Sequence, residues 1–473
     1  MKADFSRLDR AFAPQCVAVV GDKPDFKWLR GQSQFKGKLY SVQINPRNFE
    51  KIKAMGVDNY TSLSDIPEPV DLVIVAVPRA VAPQILDDCV RKGVAAAHVF
   101  TSGYSETGTE EGVRLERLLK EQAEQTGLHL IGPNCLGFFN PAVGLKQVPD
   151  QYSGTTGPVG FISQSGNHAV AFSMDAHLVG LDLSKSVSFG GGIVLDSADF
   201  LEYFGQDPGI KVIGMYVEGV KDGRRFLSVL REVAARKPVV VWKGGRTEDG
   251  ERAAVSHTGS LAVSQTTWDS VMRQCGAIKV NGSDAMVDTV KALVFLLPVQ
   301  GNRVGVTGGS GGQSVEIADV FAEAGPKVPL LTQKSYAELA SFFNLVGASY
   351  RNPIDTGNMN RGQMKRILEI LEQDDNVDNL VLLVTPRMVR GNQLDSYLNA
   401  LIDVRRKANK PVMAFLSTLF SSEETQVARE VIRKLQGAGI PVFGSFQRGA
   451  RALRNAHEYY EFKRRTDHGT DPG

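Results

Sequence analysis

Cysteine is scarce in this chain: 473 residues hold four, at Cys16, Cys89, Cys135 and Cys275, with no CxxC pair among them. Such spacing suggests neither a disulfide framework nor a zinc site, and it points to a reducing compartment. No uncharged apolar run approaches the ~18–20 residues that span a membrane. The N-terminal stretch MKADFSRLDRAF carries no hydrophobic signal region. The cytoplasm is the expected location, with no membrane partner. Neither sign of charge dominates, since 54 basic residues stand against 52 acidic ones for a net charge of +2. Nothing therefore resembles a basic nucleic-acid surface or an acidic tail. Missing too are a clean GxGxxG fingerprint and the GK[ST] ending of a P-loop. Histidine is rare, with seven in all.

What is present is an α/β pattern. Length alone suggests about three domains of ~150 residues. Glycine is frequent, at 48 residues, and gathers after short apolar runs such as CVAVVG (16–21), VDLVIVAVP (70–78), VGFISQSG (159–166), KVIGMYVEG (211–219) and RVGVTGGSGG (303–312). Continuous Val/Ile/Leu runs suit strands buried on both faces of a parallel sheet, and amphipathic stretches alternate with them. In EEGVRLERLLKEQAEQTG (110–127) the spacing predicts a helix with Val113, Leu115, Leu118 and Leu119 roughly on one face, closed by Gly127. Gly/Pro-rich segments at 140–158 and 296–303 divide the chain. The expected domains are 1–145, 155–298 and 302–461, with a frayed polar tail at 462–473.

In open α/β sheets, ligands bind at the carboxyl ends of strands. In the first domain these ends bear Gly21, then INP (44–46), AVP (76–78), TSGYSE (101–106) and GPNC (132–135). Gly21 alone reads equally well as a plain strand-to-loop turn. Together the ends line one edge with small residues and leave room for an extended ligand. In the second domain a strand runs into Ser163, Gln164, Ser165 and Gly166, and a helix follows. That turn is either an ordinary serine N-cap or an anion site built from backbone N–H groups and hydroxyls. His168, in the helix's first turns, is expected to pack. Glu218 ends a strand, where it is either solvated or placed to accept a hydrogen bond from an imidazole.

GERAAVSHTGSLA (250–262) surrounds His257 with small and hydroxylic residues. A packed core wants volume there. A histidine that accepts a phosphoryl group, with about two negative charges, wants access. SHTGSLA is expected to begin a second helix like that at Ser163–Asn167, with Thr258 and Gly259 beside the phosphate.

Taken in order, GPNCLGFFNP, FISQSG, YVEGVKDGRRF and SHTGSLA resemble the α subunits of NDP-forming acyl-CoA synthetases. This is the ADP-forming acetyl-CoA synthetase group, related to succinyl-CoA synthetase, and the resemblance covers nearly the whole chain. It implies a Rossmann-like CoA-binding domain followed by two flavodoxin-like domains. It implies that His257 is phosphorylated during turnover, that Glu218 orients it, and that Ser163, Gln164, Ser165 and Gly166 hold phosphate. Asn134 would lie beside the thioester end of CoA, and Gly21, Asn45, Pro46, Val77, Pro78, Ser102 and Gly103 along the rest of that ligand.

The implied reaction joins a small carboxylic acid to CoA with ATP, through an acyl phosphate, to give acyl-CoA, ADP and phosphate. No stretch reads as an ATP-grasp domain, so ATP/ADP and Mg2+ are expected on a separate ATP-grasp β subunit, in an α2β2 or similar assembly. No metal site or tightly bound cofactor is expected on this chain. Three departures stand out: GDKPDFKW where the group usually has a small-residue turn, Gly191 where many relatives have Asn, and Val263 where a second Gly is common. TGGSGG (307–312) is read as a structural turn. The competing readings are a non-catalytic CoA or acyl-CoA sensor and an NAD-dependent dehydrogenase. The retained His257 and Glu218 argue against the first, and the poor glycine fingerprint against the second.

Overall fold

The apolar runs become strands with both faces covered. In a computed structural model, which describes residues 3–258, 264–357, 360–384, 393–416 and 422–467, they assemble into three sheets. By contacts the chain divides into two compact units, Met1–Ser283 and Asp284–Gly473.

The first sheet holds β1 (Cys16–Val20), β2 (Lys38–Val42), β3 (Asp58–Tyr60), β4 (Leu72–Val75), β5 (Ala96–Val99) and β6 (His129–Ile131). Their order is β3-β2-β1-β4-β5-β6, and every pairing is parallel. This is the Rossmann order, and it reverses direction between β1 and β4, opening a crevice at their carboxyl ends. All residues of β1 and β4 are buried, which explains why both read as unbroken apolar runs.

The second sheet holds β7 (Gly137–Phe139), β8 (Val159–Ser163), β9 (Leu183–Ser188), β10 (Val212–Val217), β11 (Val239–Lys243) and β12 (Ile278–Val280), in the order β12-β11-β10-β8-β9-β7. The last five strands in sequence are parallel and follow the flavodoxin-like order. β7 comes straight after the first sheet's last strand and pairs antiparallel with β9. One apolar core runs through both sheets. There the Phe12 and Phe138 rings meet edge-on at 4.6 Å, and the Tyr203 hydroxyl donates to Asp9 at 2.7 Å.

The second unit is built on β13 (Val304–Gly309), β14 (Ile354–Asp355), β15 (Asn379–Val384), β16 (Val412–Leu416) and β17 (Val442–Phe443). The order β14-β13-β15-β16-β17 is again flavodoxin-like and parallel. The helix Ser283–Phe295 belongs here. Its Lys291 donates to the Val442 carbonyl at 2.6 Å, and its Asp288 accepts from Arg448 at 2.5 Å. This compact unit therefore begins with that helix, ahead of the Gly/Pro-rich 296–303. At TGGSGG the chain leaves β13 and Ser310 opens the helix Gly311–Ala324 through a capping box with Gln313.

Two expectations need correction. In the helix Glu110–Thr126 the buried stripe is Gly112, Leu115, Leu119 and Ala123, whereas Val113 and Leu118 are 51% and 41% exposed. Steps of three and four residues keep the first set on one face and carry the other two off it. The tail starts later than 462, because residues 462–467 complete the helix Phe446–Asp467 and Arg464 donates to the Val299 carbonyl at 2.9 Å. Among the described residues, no helix is long and apolar enough to cross a membrane.

Candidate active site

β8 delivers Ser163 to the crest of the second sheet, and the chain turns into the helix Gly166–Leu178. Ser165 is its N-cap, extended at φ −104°, with Oγ accepting the His168 N–H at 3.4 Å. Ser163 Oγ accepts the Ser165 N–H at 3.2 Å and donates to the Ser165 carbonyl at 2.6 Å. The N–H groups of Gly166 and Asn167 have no partner inside the helix, as at any helix start. Gln164 faces inward. Its side-chain oxygen accepts the N–H of Glu218 at 2.7 Å and of Gly219 at 3.2 Å. The turn is thereby bonded to the end of β10.

Glu218 is only 8% exposed, so it is not a solvated strand end. The Tyr216 hydroxyl donates to its Oε1 at 3.1 Å. The Tyr216 ring is held by His168 and Trp242, at centroid distances of 4.3 and 4.8 Å. Burial first, and the Glu218 charge second, raise the Tyr216 pKa and keep its hydroxyl protonated. Burial lowers the pKa of His168, with the Glu218 charge working against it. His168 thus packs, as its place in the sequence predicts. Beneath lies buried Lys243, whose ammonium donates to the Gly244 and Gly245 carbonyls at 2.9 and 3.3 Å. Burial lowers its pKa too.

His257 falls in the helix Glu248–Thr258. It stands near the end of that helix, which corrects the expectation that SHTGSLA begins one. The start lies upstream, where Thr247 Oγ1 accepts the Gly250 N–H at 3.1 Å and Glu248, Asp249 and Glu251 crowd the first turn. Acidic residues favour that end of the helix dipole. The side chains of His257 and Thr258, and Gly259 entirely, lie outside the described residues. The helix packs beside the turn Ser105–Thr107 of the first sheet's crest.

Along that crest Gly21 adopts φ +78°. A Cβ there would stand 2.4 Å from Val77, so glycine is required where β1 and β4 part. The next residue gives the GDKPDFKW departure its physical content. Asp22 is buried, and its carboxylate accepts the N–H of Lys23 at 2.9 Å and of Trp28 and Leu29 at 3.0 Å. The chain's own carboxylate uses these donors. Asn45 caps the short turn Pro46–Asn48, accepting the Arg47 N–H at 3.1 Å. Asn45, Pro46, Pro78 and Ser102 are exposed, while Val77 and Gly103 are half-buried. The Gly103 N–H donates to Glu106 at 2.6 Å.

Asn134 follows the cis Gly132–Pro133 bond and takes the left-handed φ of +55°, with its N–H donating to the Thr101 carbonyl at 3.1 Å. It is exposed and lines a pocket with Pro133, Gln164, Gly190, Gly191 and Lys221. Gly190 adopts φ +53°, and a Cβ on it would stand 2.3 Å from the Asn134 carbonyl. The structure therefore gathers Asn134, Gln164 and Gly191 at one pocket and ties Glu218 to it through Gln164. Gly21, Asn45, Pro46, Val77 and Pro78 do not line that pocket.

Comparison with known proteins follows the same plan. The CoA binding domain family matches residues 16–141, and the succinyl-CoA ligase like flavodoxin domain family matches residues 156–293. The α subunit of ADP-forming acetate–CoA ligase II from Pyrococcus furiosus is 36% identical over 446 residues, covering 92% of this chain and 94% of that one. The chain belongs to the ADP-forming acetate–CoA ligase α-subunit family. The ADP-forming acetate–CoA ligase I of Archaeoglobus fulgidus is 34% identical over 94% of this chain, which spans 63% of that longer protein. A solved structure of Ca. Korarchaeum cryptofilum dinucleotide-forming acetyl-coenzyme A synthetase 1, in complex with phosphate and ADP, superposes with a TM-score of 0.83. It is 29% identical and is covered over 98% of both chains.

Reading the sequence missed Asp22, Tyr216, Lys243 and Gly244, which the structure places at the crests of the two sheets. A signal existed for two of them. Tyr216 stands two residues before Glu218 on a strand, which puts both on one face. Gly244 follows β11 at the level of Glu218, with its N–H donating to Val217 at 2.9 Å.

Proposed function

We propose that this chain is the phosphohistidine-bearing subunit of an ADP-forming acyl-CoA ligase. It joins a small carboxylic acid to CoA at the expense of ATP, or runs the reverse. The observation that carries this reading is a buried carboxylate, Glu218, bonded through Gln164 to the serine–glycine turn at a helix start. His257 is the nucleophile, and Glu218 orients its ring. The phosphate sits at Ser163–Gly166 with Thr258 and Gly259, where backbone donors meet its charge without reorganising.

In the forward direction a carboxylate oxygen attacks the phosphorus of phosphohistidine, the P–N bond breaks, and the imidazole leaves. The CoA thiolate then attacks the acyl carbon, and phosphate leaves. Covalent relay splits one transfer between distant sites into two. CoA lies along the first crest with its thiol end toward Asn134. The Asp22-filled turn leaves its phosphates to the ends of β2, β4 and β5, at Asn45, Pro46, Val77, Pro78, Ser102 and Gly103.

ATP and Mg2+ are taken by an ATP-grasp β partner, in an α2β2 or similar assembly. Two findings support this. The Pyrococcus relatives bear the name of α subunits, and the longer Archaeoglobus ligase has over a third of its length beyond the match. We place the CoA-binding and phosphohistidine domains within Met1–Ser283 and the second flavodoxin-like domain within Asp284–Gly473, and the protein in the cytoplasm, in keeping with four free, buried cysteines.

The test is incubation of the full chain with acetyl-CoA and labelled phosphate. The expected adduct is acid-labile and base-stable, absent in His257→Ala and retained in His168→Ala. Full labelling of His257→Ala would sink the mechanism. CoA binding with no labelling of the natural chain, even with its partner added, would favour an acyl-CoA sensor.

A further inference from the structure

We propose that Tyr216 is a positioning residue that fixes Glu218 through its hydroxyl, and that residue 244 is glycine because this hydroxyl fills the place of a side chain. The inference rests on Glu218 being the carboxylate that orients His257. It is carried by three contacts made from three elements.

First, Tyr216 and Glu218 project from the same face of β10 and its end, and the hydroxyl reaches Oε1 at 3.1 Å. Second, the phenol has little freedom to leave. Tyr216 is paired in register with Trp242 on β11, the two rings meet edge-on at 4.8 Å, and the His168 ring packs against both, at 4.3 Å from Tyr216 and 4.5 Å from Trp242. Third, a Cβ built on Gly244 would stand 2.6 Å from the Tyr216 hydroxyl, 3.2 Å from its Cζ and 3.1 Å from Glu218 Cγ. The φ of Gly244 is not in the left-handed region. Backbone conformation therefore does not demand glycine there, and the demand comes from the space the hydroxyl occupies.

The neighbouring charge does not substitute for the phenol. The Lys243 ammonium bonds main-chain carbonyls, those of Gly244, Gly245 and, at 3.5 Å, Glu218 itself. Because burial keeps the phenol protonated, it donates and the carboxylate accepts. One carboxylate oxygen is thereby held in place.

The experiment is single-turnover labelling of the full chain from acetyl-CoA and phosphate, with Tyr216→Phe, Gly244→Ala, the double variant and Glu218→Gln side by side. Tyr216→Phe keeps the ring and its packing. It should slow labelling roughly tenfold or more, the scale of a hydrogen bond to a charged group. Half-saturating phosphate and CoA affinity should stay unchanged. Gly244→Ala should slow labelling comparably, by displacing the hydroxyl. The double variant should be no slower than Tyr216→Phe, because without the hydroxyl the new methyl has lost its nearest obstacle. Natural rates in Tyr216→Phe, with Glu218→Gln slow, would overturn this inference and leave the role of Glu218 standing. Effects that multiply in the double variant would overturn the account of Gly244. Natural rates in Glu218→Gln would overturn the underlying role of Glu218 and this inference with it.

Discussion

The side-chain oxygen of Gln164 accepts the main-chain N–H of Glu218 at 2.7 Å, across the crest from one parallel strand to its neighbour. Anything that moves the serine–glycine turn therefore moves the carboxylate. Gln164→Leu leaves the buried N–H groups of Glu218 and Gly219 without this acceptor. It should cost about 1–3 kcal/mol of stability, read as a lower urea midpoint, and slow the labelling of His257. A variant with the natural midpoint and rate would show that the bond couples nothing.

The two glycines of the pocket should respond oppositely. Gly190→Ala forces a methyl into the Asn134 carbonyl at a positive φ, so CoA-dependent turnover should collapse. Gly191 is not in the left-handed region, and a Cβ there would meet Pro133 at 3.4 Å or more. Gly191→Asn should therefore fold normally and change the ranking of carboxylic acids in an ADP-formation screen. An unchanged ranking would mean that residue 191 does not face the acyl group.

Asp22 gives a prediction for both ligand and pH. Its negative charge sits in the first turn, where it opposes the phosphates of CoA. Asp22→Asn should tighten CoA binding a few-fold by calorimetry, more so at low salt. Burial raises the Asp22 pKa, against the pull of its three N–H donors. A raised folded-state value means that its contribution to stability is fully present below the ordinary 3.8 and is lost as pH rises through the folded-state value. Asp22→Asn should remove that part of the pH dependence in urea melts between acid and neutral pH. Weaker CoA binding in the variant would show that the carboxylate serves the ligand by shaping the turn.

The isolated chain should bind CoA and show no appreciable heat with ATP, and an ATP-grasp β chain should restore ADP-forming turnover. Tight ATP binding by this chain alone would relocate the nucleotide site to residues 284–473.

The strand plan was legible in the sequence because buried parallel strands are continuous apolar runs, and VIVAV or VAVV has no other comfortable place. The crest residues were legible because topology puts them at strand ends. What escaped was side-chain direction. Gln164 reads only as part of the phosphate turn, and nothing in the sequence shows that its side-chain oxygen is bonded to the end of β10. Asp22 reads as a loop residue until its carboxylate is seen on three N–H groups. The helix holding His257 was misplaced because AAVSHT was read forward from the histidine, while the deciding cap, Thr247, lies ten residues before it.

β7 has a consequence for how the protein can be taken apart. Its three residues, Gly137–Phe139, cover the outer edge of β9 and send Phe138 into the core shared with Phe12. A fragment beginning at Val159 would contain every parallel strand of the second sheet. It would nevertheless present Leu183–Ser188 as a bare row of N–H and C=O groups, an open template for pairing with another molecule. Such a fragment should pair through that edge, and one beginning before Gly137 keeps the edge covered but still bares the core that Phe138 shares with Phe12. The natural seam for dissecting this chain lies elsewhere, after β12, where the first compact unit ends at Ser283.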